Sequence, residues 1–349
     1  MSIREALTDK LKIEDIWVRK LISTRYINHT GCDYDRDSMR DFIITAGYNG
    51  DDEFIPQTFQ PLIDRLYDEV KKHPKATVHL NTVVNRVNSE EKETSVTTAD
   101  GKSYEGDYII CTAPLGVLKQ NTIQFNPALS PEKQNAISHL EMAVMNNVVM
   151  EFDKCFWDKS NTHIMLAHEN PDYVPLCLNL NIAYPESNVL ILSFYGKEAC
   201  QSEEQLIKTA LGLLKNCFKE KMSTPKTMLA TQWHCDANFY GSWSIGGKNT
   251  TGQDRLALSL PERSLLFAGE HVLNGLNSTL HSALVSGRLA VKSALVLVAA
   301  KEQQQKTQRS GEAIVSSATV LFPTQRVEGN NLAPAGAIAN NNAKKFELR

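Results

Sequence analysis

One stretch near the carboxyl end of the sequence combines a glycine, a carboxylate and several hydroxyl groups between a predicted strand and a predicted helix. It reads LFAGEH at residues 266–271, STLHSAL at residues 278–284 and SGR at residues 286–288. Gly269 would let another backbone or a ligand approach closely. A helix beginning near Ser278 would offer N–H groups and positive potential to an electron-rich ligand. On spacing alone, an ordinary strand–loop–helix unit capped by Ser278 is the simpler interpretation.

Two further regions place turn residues and aromatic rings beside apolar runs. They read VHLNTVVNRV at residues 78–87 and DYIICTAPLGVLK at residues 107–119, and a third segment carries Trp233, Asp236 and GSWS at residues 241–244. A strand meander with a turn at Pro114 and Gly116 would account for the first two. The aromatic face of Trp243 would suit a substrate cation, but its residue type fits a core position equally well.

Several common catalytic patterns are missing from the sequence. It contains no GxGxxG, GxSxG or HExxH motif, and a phosphate-binding GxxxxGK[ST] is interrupted at Ser242 and Asn249. The nine histidines do not cluster at metal-ligand spacing, so we predict no metal site. These absences argue against nucleotide triphosphate, esterase and zinc-protease chemistry.

Taken together, the quoted segments resemble the flavin-containing amine oxidases, the family of polyamine oxidases, monoamine oxidases and lysine-specific histone demethylases. The resemblance implies FAD as the cofactor and a small-molecule amine as the substrate. It places Glu270 near the ribityl and phosphate part of FAD, and Thr279 and Leu280 at the pyrimidine edge of the flavin. Ser282 stands where the family usually has a glycine.

The same resemblance assigns roles to residues in the other segments. It implies that Val84 contacts the adenine through its backbone and that the turn of Thr112 and Pro114 lies near the cofactor. Trp243 would form a wall beside the flavin, where the amine is sandwiched.

Two departures from the family bear on activity. The amino-terminal βαβ unit with GxGxxG is missing, and Gln57 and Thr58 stand where two glycines are usual. At the position of the family's active-site lysine stands Asn147, and an amide cannot take the proton or carry the charge of a lysine. We expect the nearby Lys154 to be a surface charge.

Hydrophobic periodicity predicts the elements that position these residues. Helices are predicted over residues 2–28, 56–72, 132–140, 202–221 and 278–300. Strands are predicted over residues 77–87, 94–98, 104–111, 146–152, 163–167, 176–180, 189–195, 227–233 and 264–268, with a hairpin turn at Asp100 and Gly101. Ser130 and Pro131 are typical of a helix start. Because helices and strands do not alternate regularly, we predict an α+β, or composite α/β, fold with a mixed sheet.

In family terms, the resemblance predicts an incomplete FAD-linked amine-oxidase fold, in which a remnant of the FAD domain accompanies a substrate domain. Residues 1–75 would be the helical part of the substrate domain and 76–135 an FAD-domain segment. Residues 136–235 would form the substrate-domain sheet and helix, 236–300 the carboxyl-terminal FAD-domain segment, and 301–349 a disordered tail.

Composition limits the partners and the compartment. The 349 residues carry a net charge of −3, so we expect no nucleic-acid partner. We also expect no membrane partner, since the longest late apolar run, 294–300, is too short to span a bilayer. Seven dispersed cysteines and no secretory signal favour a cytoplasmic location. The sequence does not indicate an oligomeric state.

Three hypotheses follow. The chain is an FAD-dependent enzyme that oxidises a polyamine-type amine by hydride transfer to the flavin, with peroxide as a product. Alternatively, it is a catalytically inactive, amine-oxidase-like remnant or interaction protein without stable FAD binding. In the third, it is a partial gene product whose βαβ unit is encoded just upstream.

Overall fold

The computed structural model describes residues 58–90, 93–166 and 175–310, together with residues 5–10 and scattered positions between residues 12 and 55. Most of the predicted amino-terminal helix, Gln57, and the predicted tail beyond Ser310 lie outside the described residues. The chain divides into two units, Met1–Ala294 and Leu295–Arg349. The sheets and the candidate site lie in the first unit, and of the described residues only the continuation of the last helix lies in the second. The domain boundaries given above stay predictions.

A four-stranded sheet forms around the predicted meander. Its strands are β1 (Val84–Asn88), β2 (Ser95–Thr98), β3 (Ser103–Glu105) and β5 (Gln124–Asn126), in the order β3-β2-β1-β5. The hairpin between β2 and β3 turns at Asp100 and Gly101, as predicted. The prediction of a strand over residues 77–83 is wrong, because alternating apolar residues form a strand only where a neighbouring backbone pairs with them.

A short parallel pair places the carboxyl ends of two distant segments side by side. Strand β4 (Ile109–Cys111) pairs with β13 (Leu265–Phe267), so that Ile110 lies opposite Leu266. The predicted single strand over 104–111 is therefore wrong: it divides near Gly106, with β3 in one sheet and β4 in another.

The parallel pair is covered on both faces. On one face, Leu266 and Ala268 pack with Ala290 of the last helix. On the other face, Leu265 and Phe267 join a buried cluster, whose other fully buried members are Val87, Cys111, Leu118, Leu129 and Val272. This burial fixes where β13 ends, and Gly269 and Glu270 follow that end directly.

An antiparallel sheet of five strands carries the largest apolar cluster. Its strands are β7 (Met145–Glu151), β8 (His163–Met165), β9 (Leu176–Asn179), β10 (Val189–Tyr195) and β11 (Thr227–Ala230), in the order β11-β7-β10-β9-β8. Alternate residues of β7 are buried, including Val148 and Met150, as period-two patterning requires. Helix-forming residues 203–218 pack their apolar stripe on this sheet.

The prediction that strand structure continues from Ala230 to Trp233 is wrong for a specific reason. The side chain of Asn146, at 0% exposure, accepts hydrogen bonds from the backbone N–H of Trp233 (2.9 Å) and from Thr231 Oγ1 (3.1 Å). These side-chain bonds take the place of a ladder partner, and the chain turns away from the sheet.

A second short pair was not predicted. Strand β6 (Leu140–Ala143) pairs antiparallel with β12 (Trp243–Gly246), and Trp243 lies opposite Ala143. Each strand has four residues, too few for a periodic signal. This pair carries the GSWS segment toward β7.

The helices connect these sheets. In order they are α1 (Gln60–Lys72), α2 (Leu115–Lys119), α3 (Pro131–His139), α4 (Gly196–Ala199), α5 (Glu203–Phe218), α6 (Gly252–Ser259) and α7 (Leu280–Ser310), with a π-helical turn at Ala6–Lys10 and 3-10 turns at Leu180–Ile182 and Lys219–Lys221. The cap predicted for α3 is confirmed: Ser130 Oγ accepts from Lys133 N at 3.4 Å, and Pro131 opens the helix. The mixture of helices with antiparallel and parallel strands confirms the α+β prediction.

Two lysine side chains donate hydrogen bonds to the carbonyl groups at the ends of helices. The buried Lys133 Nζ donates to three carbonyl oxygens at the end of α6, those of Ala257 (2.6 Å), Leu258 (3.3 Å) and Leu260 (2.6 Å). Burial lowers the pKa of Lys133 to about 8. Lys119 Nζ likewise donates to the carbonyls of Ile137, Ser138 and Leu140 at the end of α3. A cation suits this end of a helix.

The last helix is longer than the sequence predicted. Helix α7 continues to Ser310, so the predicted end near Ala300 is wrong. By length and composition alone, its stretch Leu280–Thr307 could cross a membrane, a property that core helices of water-soluble proteins share. Ser282 and Ser286 in its first turns are buried and bonded to the loop after β13. The absence of a membrane partner stays a prediction.

Candidate functional site

The candidate site lies at the carboxyl ends of β4 and β13. The backbone N–H of Ala268 donates to the carbonyl of Cys111 at 3.0 Å, so Thr112 and Gly269 begin neighbouring loops. Thr112 is exposed, and Pro114 immediately precedes α2. In open α/β sheets, ligands bind outside the carboxyl ends of parallel strands. The structure thus brings the predicted residues Thr112 and Pro114 to the same edge as Glu270.

Gly269 is required by both conformation and space. Its φ is +148°, and a Cβ at this position would lie 2.6 Å from Cε1 of His271. Its backbone is also held by α7, because Ser286 Oγ accepts from Gly269 N at 2.9 Å and donates to Gly269 O at 3.0 Å. The close approach at this glycine is therefore made by the neighbouring histidine and serine.

The carboxylate of Glu270 connects strand β12 to the start of α7. Its Oε1 accepts from the backbone N–H of Ser244 at 3.0 Å. Its Oε2 accepts from Ser244 Oγ at 2.8 Å and from the backbone N–H of Ser278 at 2.8 Å. Strand β12, the loop after β13 and the start of α7 are held together at this one side chain.

The start of α7 is capped by Thr279. Its Oγ1 accepts from Ser282 N at 3.1 Å and donates to the carbonyl of Leu276 at 2.7 Å. Ser278 was expected to be the cap, and this is wrong: it has φ +66°, and its hydroxyl donates to the carbonyl of Ser244. Leu280 opens the helix and is 49% exposed. Thr279 and Leu280 thus lie directly beside Glu270.

A buried arginine supports this arrangement and was missed by the sequence analysis. Arg255 in α6 is 1% exposed. Its Nη1 donates to Ser244 Oγ at 3.2 Å and to the carbonyl of His271 at 2.9 Å. One hydroxyl therefore separates the guanidinium from the Glu270 carboxylate. No motif marks Arg255 in the sequence, since its role depends on β12 and β13 meeting.

His271 is a neutral, buried side chain. It is 1% exposed, and its Nε2 has no hydrogen-bond partner among the described residues. Burial, with a smaller contribution from the positive charge of Arg255, lowers the pKa of His271 to about 4. Within the described part of the chain, no group of three or more potential ligands could hold a metal ion.

Asn147, at the predicted lysine position, is held by the sheet. Its Oδ1 accepts from Ser193 Oγ at 2.7 Å across the β7–β10 pair. Its backbone N–H donates to Thr231 Oγ1 at 2.9 Å. The neighbouring Asn146, which the sequence analysis missed, also donates through Nδ2 to the carbonyl of Ala199 at 2.8 Å. Neither amide supplies a group that ionises.

Trp243 lies on β12 with its ring against backbone. Its Nε1 donates to the carbonyl of Thr30 at 2.9 Å, and a Cβ at Gly31 would lie 2.3 Å from its ring. The preceding Ser242 Oγ accepts from Met145 N at 2.9 Å, two residues before Asn147. The residues on either side of Trp243 therefore bond to strand β7, which carries Asn147, and to Glu270 in the loop after β13.

Val84 lies at the start of β1, on the cluster beneath the parallel pair. It is half-buried against the group that contains Cys111 and Phe267. This places β1 next to β4 and β13, and Val84 packs on the buried cluster of these strands. Its predicted contact with the adenine stays a prediction.

The hydrogen-bonding groups at Glu270 and at the start of α7 can be compared with those that FAD would need. A carboxylate has about four acceptor positions, and three are used at Glu270, which leaves one at Oε1 for a sugar hydroxyl. The start of a long helix beside it suits an electron-rich ring. No glycine-rich phosphate loop occurs in the sequence. The residues present fit the ribityl and ring side of FAD and do not supply its usual pyrophosphate cradle.

Comparison with known proteins gives consistent matches. A family model described as flavin containing amine oxidoreductase matches residues 34–295. Polyamine oxidase 4 of Oryza sativa is 33% identical over 254 residues, which are 71% of this chain and 49% of the relative. Polyamine oxidase 1 of Zea mays is 28% identical over 63% of this chain and 45% of its own length. Lysine-specific histone demethylase 1 homolog 3 of Arabidopsis thaliana is 29% identical over 69% of this chain and 16% of its own length. The chain spans about half or less of the length of these relatives.

Proposed function

The chain belongs to the flavin containing amine oxidoreductase family, and from that premise we propose that it forms the ribityl- and ring-facing side of an FAD site for oxidation of a polyamine-type amine. The observation that carries the proposal is the contact of Glu270 Oε2 with the backbone N–H of Ser278, 2.8 Å long. This bond holds the loop after β13 against the start of α7. The first turn of α7 and the carboxylate of Glu270 therefore lie together at the carboxyl ends of β4 and β13.

FAD, when bound, would supply the two-electron chemistry of amine oxidation by hydride transfer, with oxygen as the electron acceptor and peroxide as a product. The residues of this chain would bind and orient the flavin. Thr279 and Leu280 would lie at the pyrimidine edge, where the N–H groups of the first turn of α7 favour negative charge. Glu270 would accept a hydrogen bond from a ribityl hydroxyl at Oε1.

The substrate side is supplied by aromatic and polar groups. The ring of Trp243 would give an ammonium or alkyl chain an apolar wall. Asn147 offers no ionisable group, so the amine would have to lose its proton to solvent before oxidation. Asn147 therefore provides no group that could remove the proton of the amine substrate.

A second candidate function is favoured by one contact. Asn147 Oδ1 is already occupied by Ser193 Oγ at 2.7 Å, which ties the predicted catalytic position to the sheet. In this alternative the chain is an inactive relative or an interaction protein that retains the fold without turnover.

Titration of the purified full chain with FAD separates the two candidates. Under the first, the protein retains a flavin absorbance spectrum after desalting, and spermidine produces peroxide. Under the second, neither signal occurs at saturating FAD. Retained flavin without peroxide would support the binding part of the proposal and overturn the catalytic part.

A further inference from the structure

An exposed aromatic pair occurs in the loop between β11 and β12. Trp233 and Phe239 are 38% and 39% exposed, and their ring centroids lie 5.2 Å apart at an interplanar angle of 81°. Edge-to-face packing is a favoured geometry for two aromatic rings. It leaves part of each ring in contact with solvent, where a ligand could reach it.

The loop that carries the pair has one carboxylate and no lysine or arginine. It reads TQWHCDANFYGSW at residues 231–243. The carbonyl of Asp236 accepts from the backbone N–H groups of Phe239 at 3.0 Å and Tyr240 at 2.9 Å. These bonds close a turn that brings the backbones of Asp236 and Phe239 close together.

The carboxylate of Asp236 retains acceptor capacity. Its Oδ1 accepts from the backbone and side-chain nitrogens of Asn238, at 2.8 and 3.1 Å. Its Oδ2 accepts no hydrogen bond from the residues that the structure describes. An ammonium group could donate to Oδ2 while its alkyl chain lies on the rings.

The loop is held against both sides of the candidate site. At one end, the backbone N–H of Thr231 donates to the carbonyl of Asn147 at 3.0 Å. At the other, the backbone at Phe239 and Tyr240 lies so close to Gly116 that a Cβ there would be 2.0 Å from the carbonyl oxygen of Phe239. The aromatic pair is therefore fixed between strand β7 and the turn that follows Thr112.

We propose that Trp233, Phe239 and Asp236 form a binding site for one ammonium group of an aliphatic polyamine. The inference rests on the proposed function for its ligand class, and it assigns the residues that select a cation over a neutral chain of the same length. The proposed site consists only of protein side chains, so polyamine binding to it can be tested without FAD.

Isothermal titration of the full chain with spermidine, without FAD, tests the proposal. The wild type should bind spermidine, and 1,8-octanediol, which is apolar and uncharged, should not bind. D236N should weaken spermidine binding by about tenfold, and W233L or F239L by several-fold. D158N, which changes another exposed carboxylate, and F59L, which changes another exposed ring, should leave it unchanged.

Two results would overturn the inference. One is equal spermidine affinity in the wild type and in D236N. Because position 236 lies in a surface loop, D236N is expected to fold normally. The other is a change of oligomeric state in W233L and F239L with spermidine binding unaltered, which would make the pair a contact between protein chains. Because spermidine binding is measured without flavin, failure here is distinguishable from failure to bind FAD.

Discussion

The backbone N–H of Ser278 points to Oε2 of Glu270, 2.8 Å away, although the two residues are separated by a loop that turns the chain from β13 into α7. The same carboxylate binds the backbone and hydroxyl of Ser244. This contact fixes the distance between the strand end and the helix start.

Replacing Glu270 with glutamine should weaken both folding and flavin binding. The amide keeps one acceptor oxygen and turns an NH₂ group toward donors, so the free energy of unfolding should fall by about 2 kcal/mol. FAD affinity should fall by about tenfold through the lost ribityl acceptor. Urea denaturation and fluorescence titration with FAD measure the two effects.

E262Q is the matched control for that variant. Glu262 also accepts three hydrogen bonds, from the backbone N–H and the hydroxyl of Ser130 at 2.9 and 3.0 Å and from Arg263 Nη1 at 3.2 Å, but its carboxylate contacts the start of α3 instead of α7. E262Q should lose stability and keep FAD affinity. If both variants lose affinity equally, Glu270 acts only through folding.

The buried His271 should make the protein sensitive to acid. Its pKa is lowered to about 4 in the folded state from about 6.5 in the unfolded chain, so between these values the unfolded state binds more protons. Stability is therefore complete above pH 6.5 and falls as the pH drops toward 4, by about 3 kcal/mol in total.

Denaturation series across this pH range check the assignment. H271F, which keeps an apolar ring against Gly269, should remove most of the slope between pH 6.5 and 4. H163Q changes an exposed histidine on β8 and should leave the slope as in the wild type. An unchanged slope in H271F would show that other groups govern the acid response.

Much of the site was accessible from sequence because it lies in continuous segments. LFAGEH and the following helix start identified Gly269 and Glu270, and periodicity located β10 and α5 closely. Asn146 and Arg255 were missed, because a buried polar residue is explained only by partners that the fold brings to it. Ser278 was chosen over Thr279 as the cap since both are hydroxyl residues, and only the positive φ of Ser278 separates them.

The close contact at Gly116 predicts a large difference between two glycine substitutions. G116A would place a Cβ 2.0 Å from the carbonyl oxygen of Phe239, and the resulting backbone shift should cost about 2 kcal/mol. G212A adds a methyl group to the middle of α5, where nothing lies within 4 Å, and should stabilise by up to about 1 kcal/mol. Thermal unfolding gives the stability of both variants. Equal stability changes in G116A and G212A would contradict the close packing of the loop against Gly116.

Introducing a lysine at position 147 should raise amine oxidation in the FAD-loaded chain. N147K supplies a group that can exchange a proton near the substrate, and general acid–base contributions suggest a gain of about a hundredfold. N147Q, of similar size without the charge, should show no gain. Peroxide formation with spermidine measures the rates, and an N147K protein that retains FAD with no faster turnover would place the reacting amine elsewhere.

Backbone hydrogen exchange, measured by mass spectrometry with and without saturating FAD, tests the central claim most directly. We predict slower exchange on adding FAD at residues 269–270 and 279–283, with no change in strands β8 and β9. Bound FAD that leaves residues 269–270 and 279–283 unprotected, or no FAD binding at all, would contradict the account.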